Sequence, residues 1–285
     1  MKNLLLFLLL LIAITSKAQK KEPALAEVHY KLIHITDTTE KNNPYTESFV
    51  LLLGKRSSLY SSYDARQSKS AMEKDIKDQI DRATNPNELE LTITEGRPTS
   101  PVEFFQDLSA KKIYSKEFIG PHAYLYDQRI PEFNWQIQKD TASIAGLKCQ
   151  KAETTYMGRR YQAWFCPDLP FHSGPWKFSG LPGLIVQVKD TKSQVIFEYA
   201  GFTDVSSKQL TVGLPENATK LSEAEYAKLK KLERTDPGAF YKMAGTAPDS
   251  GPFSGVDKSK IKAINVKRTK NTFSPAINNP IELPE

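Results

Sequence analysis

The sequence predicts a mainly β (α+β) protein: a curved antiparallel sheet, or an open barrel, with one or two covering helices. Three observations lead there. Short apolar or alternating runs recur along the chain, each closed by Gly, Pro or Asn. Only two segments repeat their apolar residues at helical spacing. One long hairpin stands out, and hairpin neighbours pair antiparallel.

The chain has 285 residues, enough for one large domain. Its charged (25%) and aromatic (10%) fractions exclude a disordered tail or a fibrous repeat. It opens with Lys2, an unbroken apolar run from Leu4 to Ile14, and Thr15-Ser16-Lys17-Ala18. A positive start, a short apolar stretch and a small-x-small close describe a signal peptide over residues 1–18, cleaved before Gln19. A membrane span needs about 20 apolar residues, so an uncleaved anchor is the poorer reading. The mature chain is expected to be exported, periplasmic or extracellular, with no transmembrane segment after cleavage. A single β-rich domain over 19–245 and a Pro/Gly/Asn-rich segment over 246–285 complete the division.

Strand signals begin at Leu25–Thr36, where Val28, Tyr30 and Leu32 share one face and His29 and Lys31 the other. Phe49–Leu53 and Ser57–Tyr63 form a hairpin about Gly54-Lys55-Arg56. Asp64–Ala83 then changes period: Met72, Ile76, Ile80 and Ala83 mark a helix, ended by Asn85-Pro86-Asn87. It could be a lid or a buttress. Strands resume at Glu88–Thr94, Val102–Phe105, Lys111–Ile119, Ala123–Asp127 and Phe133–Gln138.

The segment from Cys149 to Cys166 reads as a hairpin turning at Met157-Gly158. Residues whose numbers sum to 315 then face each other, Ala152 opposite Ala163 and Cys149 opposite Cys166. Opposed Cβ atoms lie about 4.5–5.5 Å apart, within reach of a disulfide. An exported compartment favours closing it, and the expected role is structural. Free thiols, or a redox or soft-metal pair, are the other readings. The last has no C-x-x-C and no histidine within the hairpin.

Leu184–Lys189 and Val195–Phe202 follow, with Val195, Phe197 and Tyr199 on one face. Ser222 with Glu225 resembles a capping box opening a second helix to about Glu233, stopped by Asp236-Pro237-Gly238. Ile261–Arg268 is a last strand candidate.

Between the hairpin and Leu184 lies Gly174-Pro175-Trp176-Lys177-Phe178-Ser179-Gly180-Leu181-Pro182-Gly183-Leu184-Ile185. This segment resembles the GLPGLI family of exported bacterial proteins, named for the hexapeptide at 180–185. Asn279-Pro280-Ile281-Glu282-Leu283 resembles that family's terminal motif. The resemblance covers most of the chain and implies no activity. Read physically, Leu181-Pro182-Gly183-Leu184 suits a type II turn, and Leu184, Val186 and Val188 should enter the sheet on the face opposite Ile185. Trp176 and Phe178 either cap an open end of the core or form a rigid aromatic loop at the mouth of a cleft.

Catalytic signatures are missing: no G-x-S-x-G, H-E-x-x-H, P-loop or dinucleotide fingerprint occurs. His29 and His34 fall on opposite strand faces, and His172 with Asp168 and Ser173 is too local for a triad. No cofactor, no metal and no catalytic residue is expected. The net charge of +6 is too small to argue for nucleic acid. Lys258, Lys260, Lys262, Lys267, Arg268 and Lys270 cluster near the end, as a solvated face or a patch for an acidic partner. Tyr30, Tyr60, Tyr63, Tyr124, Tyr126, Trp135 and Trp164 could pack a core or line an apolar or peptide-binding groove. The leading expectation is a non-catalytic binding or carrier protein for an apolar or peptide ligand. An accessory protein docking on an envelope partner comes second, and a hydrolase with a non-standard site third.

Overall fold

A computed structural model of the chain describes residues 21–245, 253, 256–268 and 277–283. The expected signal peptide lies outside these, as do Lys270 and most of 246–255. The elements in order are β1 (Glu22–Pro23), β2 (Ala26–His34), β3 (Tyr45–Leu53), β4 (Ser57–Ser62), α1 (Tyr63–Asp81), β5 (Leu89–Glu95) and β6 (Glu103–Asp107). Then come β7 (Lys112–Ile119), β8 (His122–Arg129), β9 (Gln136–Ile144), β10 (Leu147–Tyr156), β11 (Arg159–Cys166), β12 (Leu184–Asp190) and β13 (Val195–Asp204). The remainder are β14 (Thr211–Val212), β15 (Thr219–Leu221), α2 (Glu223–Thr235), α3 (Pro237–Ala244) and β16 (Ile261–Arg268).

Twelve strands form one curved, open sheet in the order β15-β8-β7-β6-β4-β3-β2-β13-β12-β11-β10-β9. Every pairing within it is antiparallel except the short parallel contact of β15 with β8. The sheet does not close, because β15 and β9 are free edges.

The hairpin lies in the expected register, from Gln150 opposite Phe165 to Tyr156 opposite Arg159. Met157 (φ 44°) and Gly158 (φ 69°) both take the left-handed region, as a tight two-residue turn matched to the sheet twist requires. At the other end the Cys149 and Cys166 sulfurs stand at disulfide distance, with their Cα atoms 4.3 Å apart.

The main core lies on one face of the sheet. Val28, Tyr30, Leu51, Tyr161, Phe165, Val188 and Phe197 are all essentially removed from solvent there. The strand faces of β2 and β13 follow the expected alternation. Burying each such side chain contributes about 1.5–3 kcal/mol, which makes this cluster the main stabilising body.

One or two covering helices are expected, and α2 and α3 cover the large sheet at β7 and β8; three helices occur among the described residues, and the buried stripe of α1 goes to a different layer. That stripe, Met72, Ile76 and Ile80, packs on Leu89, Leu91 and Ile261 of a separate two-stranded parallel sheet, β5 with β16. α1 is therefore a buttress for that small layer. Ser62 caps it, accepting from the Ala65 amide at 2.9 Å. α2 opens on the expected capping box at Ser222 and Glu225. Asp236 ends α2 and at once caps α3, so Asp236-Pro237-Gly238 is a corner between two helices and not a terminus. Tyr226 and Phe240 seat the pair on Ile119, Tyr124 and Tyr126 of β7 and β8. The strand expected at Phe133–Gln138 begins only at Gln136, because Phe133 and Trp135 turn inward to pack beside Phe178.

Candidate functional site

The Gly/Pro segment before β12 folds back over the sheet. Pro175 accepts from the Phe178 amide at 3.1 Å, closing a four-residue turn in which Trp176 sits at φ 56°. A large side chain in the left-handed region is costly and persists only where packing holds it. Trp176 is held by Tyr156 and Phe178, with ring centroids 6.0 and 5.2 Å away.

Phe178 is fully buried, among Phe133, Trp135, Tyr161, Trp176 and Phe197. Trp176 and Phe178 both belong to the main core, and Trp176 also lines a cleft.

The hexapeptide is not a type II turn. The Gly183 amide donates to the Leu181 carbonyl at 2.9 Å across Pro182, and the Leu184 amide turns away to Leu169 at 2.9 Å. Gly183 sits at φ +152°, where a Cβ would lie 2.6 Å from the Cys166 carbonyl carbon and 2.9 Å from Pro167 Cα. No side chain fits there. Gly174 lies against Ile185 in the same manner, a Cβ at 174 falling 2.7 Å from the Ile185 Cβ. Ile185 is consequently buried, like Leu184 and Val186, although neighbouring strand residues should alternate. The loop returns over the core face, where Phe178 meets Tyr161 and Phe197, and a register shift opposite Trp164/Phe165 leaves Val186 without a partner in β11 and sets Ile185 opposite Phe165 on that face.

The terminal motif completes the arrangement. Arg159, the first residue of β11, is almost wholly buried and pairs with equally buried Asp190 at 2.8 Å. All five of its N–H groups have acceptors. Nε donates to the Ile281 carbonyl (3.0 Å). One terminal nitrogen donates to Asp190 and Gln194 (2.8 and 3.3 Å), and the other to the Asn279 side chain and the Pro280 carbonyl (2.5 and 2.7 Å). Asn279 donates on to the Ile35 carbonyl at 2.6 Å, and its own carbonyl accepts from His34 Nε2 at 2.7 Å. A carbonyl only accepts, so this nitrogen carries the His34 proton. Burial, with the nearby Arg159 charge, holds His34 below its ordinary pKa, against the opposing pull of the Asn279 hydrogen bond and Asp190. Lys177 of the loop meets Glu282 of the motif at 2.7 Å.

Between this strap and strands β2–β4 and β6–β8 lies a cleft of about 740 Å³. Leu32, Phe49, Tyr60, Phe104, Trp176 and Phe197 give it apolar walls, and Pro280–Glu282 form one side. Tyr60 stacks on Phe49 at 4.8 Å, yet its buried hydroxyl has no hydrogen-bond partner. Glu47, 1% exposed, accepts from Tyr45 (2.6 Å), the Ser100 amide (2.9 Å) and the Ser62 hydroxyl. Glu117 accepts from Tyr126, Tyr226 and Lys230 at 2.6, 2.9 and 3.2 Å. Burial alone would raise its pKa, but these donors hold it below the usual carboxylate value.

His172, considered above for a triad, is exposed and faces the Leu181 carbonyl at 2.9 Å; it positions the loop. Among the described residues no group of three or more His, Cys, Asp or Glu is placed to hold a metal ion. None of their helices is long and apolar enough to cross a membrane. Missed in the sequence were Arg159 and Asp190, whose only signal is a charged residue at each of two hairpin corners, and Glu47, for which no signal existed.

The architecture defines an open curved-sheet protein with a strapped aromatic cleft. A family model described as a protein of unknown function (Porph_ging) matches residues 158–187, the span from the Gly158 turn through the GLPGLI hexapeptide. No curated protein matches the sequence. Among solved structures the chain is similar to PNGF-II in its P21 and C2 crystal forms, with TM-scores of 0.49 and 0.48 at 12% and 11% identity. Each match covers 72% of this chain but 32% of the solved chain, so this chain spans about a third of the length of PNGF-II.

Proposed function

We propose that the protein is an exported, non-catalytic binding or carrier protein, with the strapped cleft as its binding site for an apolar or peptide ligand. The supporting observation is the cleft itself. Six apolar and aromatic side chains converge on a volume of about 740 Å³, within the roughly 300–1,000 Å³ of small-molecule sites. The envelope-docking reading is less supported, because most of its presumed contact loop, including Gly174, Pro175, Phe178 and Leu181, is buried.

Titration with N-phenyl-1-naphthylamine, a neutral aromatic probe, tests the reading. Saturable one-to-one fluorescence enhancement is expected, weakened severalfold in Trp176→Leu. Enhancement that is absent, or indifferent to Trp176→Leu, would remove the cleft as a binding site.

A further inference from the structure

The chain carries a net charge of +6, yet its cleft is acidic. Among the described residues four carboxylates line it, Glu47, Glu117, Glu223 and Glu282, against one ammonium, Lys177. Lys177 is already engaged by Glu282 at 2.7 Å and lies over the Trp176 and Phe104 rings at 5.1 and 5.5 Å. Glu223 at the start of α2 takes the Gln128 amide, and Glu117 is met from outside by the largely exposed Lys230. Glu47 is the telling residue. It lines the cleft, and its hydrogen-bond partners are all neutral. A buried carboxylate without a counter-charge is stabilised by any cation brought close to it. Independently, Tyr60 is 3% exposed and lines the same cleft, and its buried hydroxyl lacks a partner, an unmet acceptor that a ligand N–H entering the cleft would satisfy.

From this geometry we infer that the cleft selects cationic ligands: an ammonium or guanidinium carried on an apolar body, the apolar part against the aromatic wall and the charge toward Glu47 and the Glu117–Glu223 side. The inference rests on the cleft-binding reading and deepens it. Aromatic faces add to the preference, since their quadrupole favours cations and disfavours anions. A basic, apolar peptide segment and a small amphipathic amine share this chemistry.

Three probes with one body and different heads separate charge from burial: 4-phenylbutylamine, 4-phenylbutanol and 4-phenylbutyrate, titrated calorimetrically into the full chain at low salt. The amine should bind roughly tenfold tighter than the alcohol, and the carboxylate weakest of the three. The amine's advantage should shrink severalfold in Glu47→Gln, and in Glu223→Gln should that first variant fold poorly. A Lys-containing and an acetyl-Lys-containing apolar tripeptide form the peptide arm, with the same ordering expected. Equal affinity for amine and alcohol overturns the charge inference while leaving cleft binding intact. An amine preference untouched by Glu47→Gln and by Glu223→Gln overturns it too, since the charge would then act elsewhere. Failure of every probe, N-phenyl-1-naphthylamine included, takes the cleft reading down with it.

Discussion

Arg159 shows how far one side chain can organise its surroundings. Its planar fork reaches acceptors on the β12–β13 turn and on the terminal motif at once, and no other side chain offers five fixed donors. Truncating Arg159→Ala strands Asp190 as a buried, unpaired charge and should cost about 3–5 kcal/mol in urea unfolding. Arg159→Lys should recover little, because a point charge with three donors cannot replace the fork. Gly183 is the second decisive residue. Gly183→Ala combines an unfavourable φ with backbone overlap at Cys166 and Pro167, and should lower stability by about 1–3 kcal/mol or more on the same measurement. An unchanged denaturation midpoint would mean the loop follows another path.

At the scale of elements, the β10–β11 hairpin is held at both ends: by the left-handed turn at Met157-Gly158 and by the cysteine pair. Cys149 and Cys166 are 17 residues apart, and closing a loop of that size contributes on the order of 3 kcal/mol through the unfolded chain. The double substitution to Ser should lower stability by about that amount and leave the circular dichroism spectrum unchanged. The strap is the other element of consequence. The Leu283 amide reaches the Met157 carbonyl at 3.2 Å, and Asn278 and Asn279 amides both reach Thr36 at 3.1 Å. A chain ending at residue 276 should keep the sheet but lose one cleft wall. Hydrogen exchange should then quicken at β2 and around Arg159, while α2 and α3 stay protected.

For the molecule as a whole, the curved sheet places β2 at its centre and the strap across it, and His34 sits at their junction. Its folded-state pKa lies below the ordinary value of 6.5, so between those two values the unfolded chain binds the extra proton. Stability from this group is therefore complete above pH 6.5 and falls as the medium is acidified toward the folded pKa. The urea midpoint should decline from pH 7.5 to about pH 5.5, and His34→Gln should flatten that decline. A profile equally steep in the variant would place the titrating group elsewhere.

Local patterning was enough for most of the long strands, the hairpin register, the facing cysteines and the capping box, because each depends on residues near one another in the chain; it missed the short β1, β14 and β15 and misplaced β9. Alternation also assigned the buried face of β2, where Val28, Tyr30 and Leu32 go inward together. It failed at Ile185, which a bulge at Val186 turns onto the face of Phe165 beneath the returning loop, and at α1, whose apolar stripe gave no hint of which sheet it would cover. The cleft was legible only as a surplus of aromatics; its acidic lining at Glu47 left no trace in the order of residues. What the sequence determined alone was periodicity, turn chemistry and pairing within short range. Only the tertiary structure decided which distant groups met. Arg159 and Asn279 stand 120 residues apart, and a buried hydrogen bond across that separation exists only once the folded sheet has brought its ends together.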